Sequence, residues 1–428
     1  MELVQLAMLL IPMFVLMGFG VPIFLAMGIT CLLFVLLFDL PMMILAQSYV
    51  RGLYSYDFLA LPFYFLAGDL MNHGGITRRL VSFSQALIGH VRGGLSHVNI
   101  IASMIFSGVS GSAVADTSAI GSVLIPSMKK SGYPGPYAAA VTAASSTIGP
   151  IIPPSIPLVV YGLIGQVSVG KLFLGGAIPG VMMGVYLLIT SFAISRRRGY
   201  PAIQWAGLKK LLRSGLDAGL ALIMPFIIVG GITSGVVTPT EAGVIAVVYA
   251  LLLGCFVYRE IGLQDLPRIL GNTMVNSGTV LIIIASSGLF SWIIANMKLG
   301  EVLVGFFLSI STNKWVILGI LNIFFLLWGC VLDPVTAMII LLPIFIPLVQ
   351  ELGIDLVHFG VVVVINLMIG LVTPPVGILT YLSASIAEAR LENVMKESIP
   401  FLLALLIVLI MCTYWPALVM WLPELLMK

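Results

Sequence analysis

Two short stretches of this chain gather oxygen-bearing and helix-breaking residues in an order suited to holding a hard cation. The first runs Phe106-Ser-Gly-Val-Ser110-Gly-Ser112-Ala-Val-Ala-Asp116-Thr-Ser-Ala119, followed by Pro126 and by Ser145-Ser-Thr-Ile-Gly149-Pro-Ile-Ile152-Pro-Pro154. Gly149-Pro150 and Pro153-Pro154 must interrupt a helix, because proline lacks the N–H donor and its ring clashes with the preceding turn. Carbonyls freed at Gly149, Ile152 and their neighbours, with the hydroxyls of Ser110 and Ser112, would supply the neutral oxygens that hard ions prefer. Small residues at 107–112 allow a tight turn, as at a hairpin tip, and Asp116, Thr117 and Ser118 are candidates to cap the next helix. The plainer role of such small residues is helix packing. The second stretch reads Gly329-Cys-Val-Leu-Asp333-Pro334, then Pro343 and Pro347, then Asn366-Leu-Met-Ile-Gly370-Leu-Val-Thr373-Pro-Pro375. Asp333-Pro334 is a strong helix start, with Asp as N-cap and Pro at the first helical position. An acid inside so long an apolar run is also a functional candidate, since leaving it unpaired in hydrocarbon is costly. Capping and coordination are compatible.

The two stretches are related. A shift of 221 residues pairs Ile125-Pro126 with Ile346-Pro347, Gly132 with Gly353, Val141 with Val362, Ile148-Gly149 with Ile369-Gly370, Pro153-Pro154 with Pro374-Pro375, and Leu158 with Leu379. Leu, Ile and Val match readily by composition alone; a common register of Gly and Pro does not. The same shift sets Ser112 on Asp333, Ile152 on Thr373 and Pro154 on Pro375, so the two oxygen clusters occupy equivalent places and predict two cation sites related by a repeat. Paired Gly/Pro-interrupted segments in two halves are the best sequence pointer to a transporter's binding sites.

The elements that must position these residues are membrane helices. Of 428 residues, 60% are hydrophobic and 9% charged, against about 45–50% and about 25% in soluble domains. At about 20 residues per span the chain is long enough for roughly ten crossings. Apolar stretches fall at about 3–38, 58–71, 98–128, 137–165, 172–195, 216–237, 241–257, 273–296, 302–311, 315–350, 358–387 and 400–423. Several are too short or too interrupted for simple spans, which predicts re-entrant hairpins and broken helices. The fold expected is an all-α polytopic membrane protein. Arg196-Arg197-Arg198 with Lys209, Lys210 and Arg213 makes the longest polar linker cytoplasmic by the positive-inside rule. The division follows: a first repeat over 1–195 with its core at about 98–165, a basic linker over 196–215, and a second repeat over 216–428 with its core at about 315–387.

The remaining polar features read as structural. Thr238-Pro239-Thr240-Glu241 is a capping box opening the helix after it. Leu61-Pro62 through Arg78-Arg79 resembles an amphipathic segment ending in water, with both arginines solvated. His73, His90, His97 and His358 show no metal spacing, and Cys31, Cys255, Cys330 and Cys412 are scattered apolar residues. Tyr414-Trp-Pro-Ala-Leu-Val-Met-Trp421 suits an interfacial belt. The N-terminus enters an apolar run directly and predicts a retained first helix. A net charge of +3, dispersed in clusters between apolar runs, does not point to nucleic acid. No P-loop, GxGxxG, HExxH or GxSxG is present, so neither ATP hydrolysis nor proteolysis is expected. The chain reads as no enzyme and as needing no cofactor. Energy is expected from an ion gradient, with Na⁺ favoured over protons because the candidate sites are rich in hydroxyls and carbonyls and poor in carboxylates.

Phe106–Gly121, Gly149–Ser155, Gly230–Gly243 and Leu332–Gly377 together resemble the large membrane (permease) subunit of tripartite ATP-independent periplasmic (TRAP) transporters, over essentially the whole chain and most like the sialic-acid branch. The resemblance implies two inverted repeats, each with a helical hairpin and a broken helix, in an elevator-type fold of the ion-transporter superfamily. It implies one sodium site at Ser110, Ser112, Gly149, Ile152 and Pro154, and another at Gly329, Asp333, Gly370, Thr373 and Pro375. Ile152 and Pro154 would act through backbone carbonyls. Implied partners are a small four-helix membrane subunit, here a separate chain, a soluble periplasmic substrate-binding protein, and an organic acid in transit across a bacterial inner membrane. Sialic acid is the first expectation for that acid and a C4-dicarboxylate or another carboxylate the alternative. An ion or solute channel would share the re-entrant hairpins without needing a binding protein.

Overall fold

A computed structural model describes residues 2–53, 56–205 and 207–427. Those residues form α-helices joined by short turns, with a 3₁₀ turn at Tyr56–Leu59 and a π turn at Leu252–Val257, and no strand among them. The first half holds α1 (Glu2–Gly18), α2 (Ile23–Leu37), α3 (Met43–Leu53), α4 (Ala60–His73), α5 (Ile76–Ile88), α6 (Gly94–Ser110), α7 (Ala113–Lys130), α8 (Gly135–Ser146), α9 (Ile156–Gly165) and α10 (Val169–Arg198). The second holds α11 (Leu208–Thr233), α12 (Pro239–Leu251), α13 (Leu266–Asn296), α14 (Leu299–Ile310), α15 (Lys314–Gly329), α16 (Pro334–Glu351), α17 (Leu356–Gly370), α18 (Ile378–Ala387), α19 (Leu391–Tyr414) and α20 (Ala417–Leu426).

The 221-residue register governs helix limits, not only side chains. Moved by that interval, α7 lands on α16, α8 on the start of α17, and α9 within one residue of α18. Gly132 and Gly353, which end α7 and α16, both have positive φ, and both Pro-Pro bonds are cis. The halves are inverted. Arg198, at the C-terminus of α10, pairs at 2.9 Å with Glu397 near the start of its counterpart α19, and Tyr186 of α10 donates to the sulfur of Met411 near the α19 end. Repeat-related helices lying antiparallel side by side are what an inverted repeat produces.

The helices α8 and α17 form the centre; Tyr137–Ser146 and Val357–Gly370 are buried throughout. Helices without a polar face belong inside a large protein. Around them each half covers the other: α9 packs on α16 and α17, while α18 packs on α7 and α8. Tyr161 of α9 donates to Leu356 O at 2.7 Å, and Lys129 at the end of α7 donates to Ala387 O at 2.8 Å. The hairpins α6–α7 and α15–α16 are pinned to this centre by polar pairs. Ser145 donates to Asn99 Oδ1 at 3.1 Å, and Asn366, at the 221-related position, donates to Asn322 Oδ1 at 3.0 Å.

Six helices among the described residues are long and apolar enough to cross a bilayer, or seven if the pair Val304–Ile310 and Lys314–Gly329, bent by 114°, counts as one span. Shorter apolar helices of 10–17 residues accompany them, among them α6, α9, α17 and α18, which flank the Gly- and Pro-containing turns and breaks of the repeat cores. One close backbone crossing sets Gly329 on Gly370: a Cβ on Gly370 would lie 2.6 Å from the Gly329 Cα. Gly370→Ala is therefore expected to lower stability by about 1–3 kcal/mol through overpacking. Gly278→Ala, in α13 with open space around it, should be neutral or slightly stabilising by helix propensity. Thermal unfolding of the two variants in detergent checks the contrast, and a Gly370→Ala protein melting with wild type would refute the assigned crossing.

Candidate functional site

The first oxygen cluster forms at the tip of the α6–α7 hairpin. Gly111 takes φ +60°, a conformation glycine adopts without steric cost, and turns the chain within one residue. Ser112 then caps α7, accepting the Ala115 N–H at 3.4 Å. Sequence reasoning placed the cap among Asp116, Thr117 and Ser118; the structure gives it to Ser112 and frees Asp116 for another role. The Asp116 side chain is fully buried. One carboxylate oxygen takes the Ser110 hydroxyl, and the other has no partner. That second oxygen fills the space where a Gly149 side chain would stand, so glycine at 149 lets the break between α8 and α9 close onto the acid. A buried carboxylate oxygen without a donor is costly unless a positive charge sits against it or the group takes up a proton.

Ser110, Ser112 and Gly149 thus come together around Asp116. The Pro154 carbonyl joins them from the far side of the break, 2.9 Å from where a Gly111 Cβ would be. Ile152 lies in the same break, its side chain packed on Gly180 of α10, leaving its carbonyl as the group it has to offer. Ser155 holds the break in shape, donating to Pro150 O and accepting Leu158 N–H at 3.1 Å.

The second cluster has the same plan and a different charge. Asp333 occupies the N-cap position and takes the N–H groups of Val335 at 3.1 Å and Thr336 at 3.4 Å with one oxygen. Pro334 stands at the first helical position, as the sequence predicts. Gly329 and Gly370 meet behind it. Thr373 donates back to Ile369 O at 2.7 Å and Pro375 is exposed; no hydrogen bond joins either to Asp333.

Both hairpin tips open on one cavity of about 430 Å³. Ser112 and Ala113–Ala115 border it from α7, Asp333–Val335 from α16, Pro150 and Met368 from the broken helices, and Phe65, Asn276 and Thr279 from α4 and α13. Backbone N–H groups in the first turn of a helix have no intrahelical acceptor, and that end carries positive partial charge. At α7, Ser112 takes one of these donors and leaves the first turn facing the cavity. At α16 the proline has no donor, and Asp333 occupies the next two.

The clusters also differ in cover. Behind Ser110, helices α4 and α11 close down: a Cβ on Gly68 would meet Ser110 O at 3.2 Å, and one on Gly108 would meet Pro225 Cγ at 2.6 Å. The gap left among Tyr64, Ala67, Ser110, Pro154 and Met224 is about 10 Å³, room for no more than one water. Asp333, by contrast, is exposed. Sequence reasoning missed this seal, the role of Asp116 and the α13 wall. The intramembrane-acid argument applied to Asp333 applies equally to Asp116. The stretch Gly271–Val280 has five Asn, Ser or Thr in ten residues, a visible signal. The capping box at Thr238 is present, with Thr238 N–H on Glu241 at 2.7 Å. Arg79 is not simply solvated, since its guanidinium lies 3.9 Å from the Tyr258 ring centroid and 3.5 Å from Glu260.

A family model described as the tripartite ATP-independent periplasmic transporter, DctM component, matches residues 10–418. The chain is 40% identical over 380 residues to the sialic acid TRAP transporter large permease protein SiaM of Vibrio cholerae, covering 89% of each chain. It is 37% identical over 369 residues to the C4-dicarboxylate TRAP transporter large permease protein DctM of Pseudomonas aeruginosa, covering 86% of each. Among solved structures, the Alcanivorax borkumensis YdaH transporter shares the fold at a TM-score of 0.61, with 16% identity over 87% of both chains.

The difference in cover is testable by thiol labelling. In a background with the four native cysteines replaced, Asp333→Cys is expected to react with a small hydrophilic maleimide at least about tenfold faster than Ser110→Cys. Equal rates would show that α4 and α11 do not close the first cluster.

Proposed function

The chain belongs to the DctM family of tripartite ATP-independent periplasmic transporters, a permease subunit and not an enzyme, and on that premise we propose that it carries an organic acid across the bacterial inner membrane at the expense of a sodium gradient. Sialic acid is the first candidate solute and a C4-dicarboxylate the alternative; relatives of both kinds are similar to this chain at nearly equal identity. A periplasmic binding protein delivers the solute, and a small membrane subunit is the second membrane component. The observation that carries the reading is the shared cavity, bordered by the first turns of two helices from opposite halves.

One sodium ion binds at Ser110, Ser112, Gly149, Ile152 and Pro154, with Asp116 supplying the charge behind it. A second binds at Gly329, Asp333, Gly370, Thr373 and Pro375. The solute carboxylate lies against the first turn of α7. Coupling follows from electrostatics: Asp333 borders the same cavity, and two bare negative charges about 4 Å apart repel by about 4 kcal/mol near a protein surface. Sodium on Asp333 removes that repulsion, so solute and ion favour each other's binding, and linkage makes the effect reciprocal. The hairpins and the broken helices move together as the carrier, while α4, α11 and α13 stay with the membrane.

Uptake into proteoliposomes holding both membrane subunits, with binding protein outside, tests this. An inward sodium gradient is expected to drive accumulation. Asp333→Ala and Asp116→Ala should each abolish sodium-driven uptake while leaving expression and folding largely intact. Uptake indifferent to sodium would sink the coupling, and near-normal transport by Asp333→Ala with unchanged or tighter sodium dependence would remove that residue from the ligand set.

A further inference from the structure

Part of the wall of the cavity comes from α13, and the chemistry of that helix is unusual for one long and apolar enough to span a membrane. Asn272, Thr273, Asn276, Ser277 and Thr279 crowd one stretch of a helix long and apolar enough to cross the bilayer. Such residues are poor helix formers and gain nothing from lipid. Two of them are accounted for within the chain: Thr273 donates to Asp69 at 3.1 Å, and Thr279 donates to Val275 O at 2.8 Å, keeping its lone pairs as acceptors. The Asn276 carboxamide, with two donors and an acceptor, has no hydrogen-bond partner among the described residues, is exposed, and borders the cavity. Val275, its neighbour in sequence, is 68% exposed and lies outside the cavity. Among the described residues, no Lys, Arg or His lines the cavity, and its acid is Asp333.

We propose that Asn276, assisted by Thr279, is a specificity-determining residue that α13 contributes to the solute site, where it binds a neutral hydrogen-bonding group, a hydroxyl or an amide, on a solute with a single carboxylate. This rests on the transport reading above and adds the residue and the class of acid to it. A second carboxylate at the α13 end would meet no cation and would face neutral groups in a site that already holds an acid. A hydroxyl or amide there satisfies Asn276 without burying an unpaired charge. Because α13 lies outside the hairpins, the contact exists only while the tips stand beside it, so it strengthens solute binding in this arrangement and is given up when the hairpins move.

The test uses the complete transporter in proteoliposomes, with N-acetylneuraminate, which has one carboxylate plus hydroxyls and an amide, as the probe. Asn276→Ala is expected to raise its half-saturating concentration about tenfold, the value of roughly one hydrogen bond, with maximal rate and sodium half-saturation within about twofold of wild type. Asn276→Asp should be at least as impaired, Asn276→Gln should recover part of the loss, and Val275→Ala should behave as wild type. Wild-type half-saturation in Asn276→Ala, or a loss confined to maximal rate, overturns the inference while leaving sodium-driven transport standing. Succinate carried by wild type as well as N-acetylneuraminate overturns the single-carboxylate class. No sodium-driven uptake of either acid by wild type overturns the transport reading, and the inference with it.

Discussion

Inside a bilayer there is no water to receive a backbone N–H or C=O, and every break in a helix must be enclosed by protein or by a polar cavity. Among the described residues, two such breaks interrupt the repeat cores, over residues 147–155 and 371–377, and much of the architecture answers to them. The Ser155 hydroxyl serves both sides of the first break. At the second, Leu379 N–H returns to Leu371 O at 3.1 Å and the Thr380 hydroxyl to Val372 O at 3.2 Å. These local closures do not reach every carbonyl. The rest of the shelter comes from burying α8 and α17 at the centre and wrapping each with the short helix that follows the other's break. The carbonyls still free beside the hairpin tips are the ones proposed to receive sodium.

The two halves share this geometry and diverge in charge. At the first tip a serine caps the helix and the acid is set back, fully buried against Gly149; at the second the acid is itself the cap and stands at the cavity edge. A set-back acid contributes charge to an ion while leaving the helix end free for an anion. An acid at the cap occupies that helix end and opposes an anion until it is neutralised. Under the function proposed above, this unequal charge divides the work, one tip receiving the solute and the other making its binding conditional on the ion.

The Gly and Pro register was legible in the sequence because the Gly-Pro and Pro-Pro pairs act on their own backbone, although single prolines of the same register, Pro126 and Pro347, lie inside continuous helices. The same holds for the Asp333 cap and the capping box at Thr238, whose partners lie within three residues. What escaped depends on distant neighbours. Whether Ser112 or Asp116 capped α7 was decided by Gly149, 33 residues away, whose missing side chain makes room for the carboxylate. The pairing of Arg79 with Tyr258 and Glu260, and the closure of Gly68 and Pro225 over the first tip, join segments far apart in sequence. Composition bounds the number of crossings without fixing it for a related reason: apolar length does not say whether a segment spans, re-enters or stops at a break.

The reciprocal packing of α9 and α18 also bears on how the molecule is made. Helix α9 leaves the ribosome with an apolar surface whose partners, α16 and α17, follow about 200 residues later. At about 5–20 residues per second, that is a wait of about 10–40 s. During this interval the first half holds an open helix break with its cover not yet synthesised, and lipid or the insertion machinery must shelter it. Helix α18, by contrast, emerges to find α7 and α8 already in place. The two halves are equivalent in the finished fold and unequal in the order of assembly, so the closing step of biogenesis belongs to the second half.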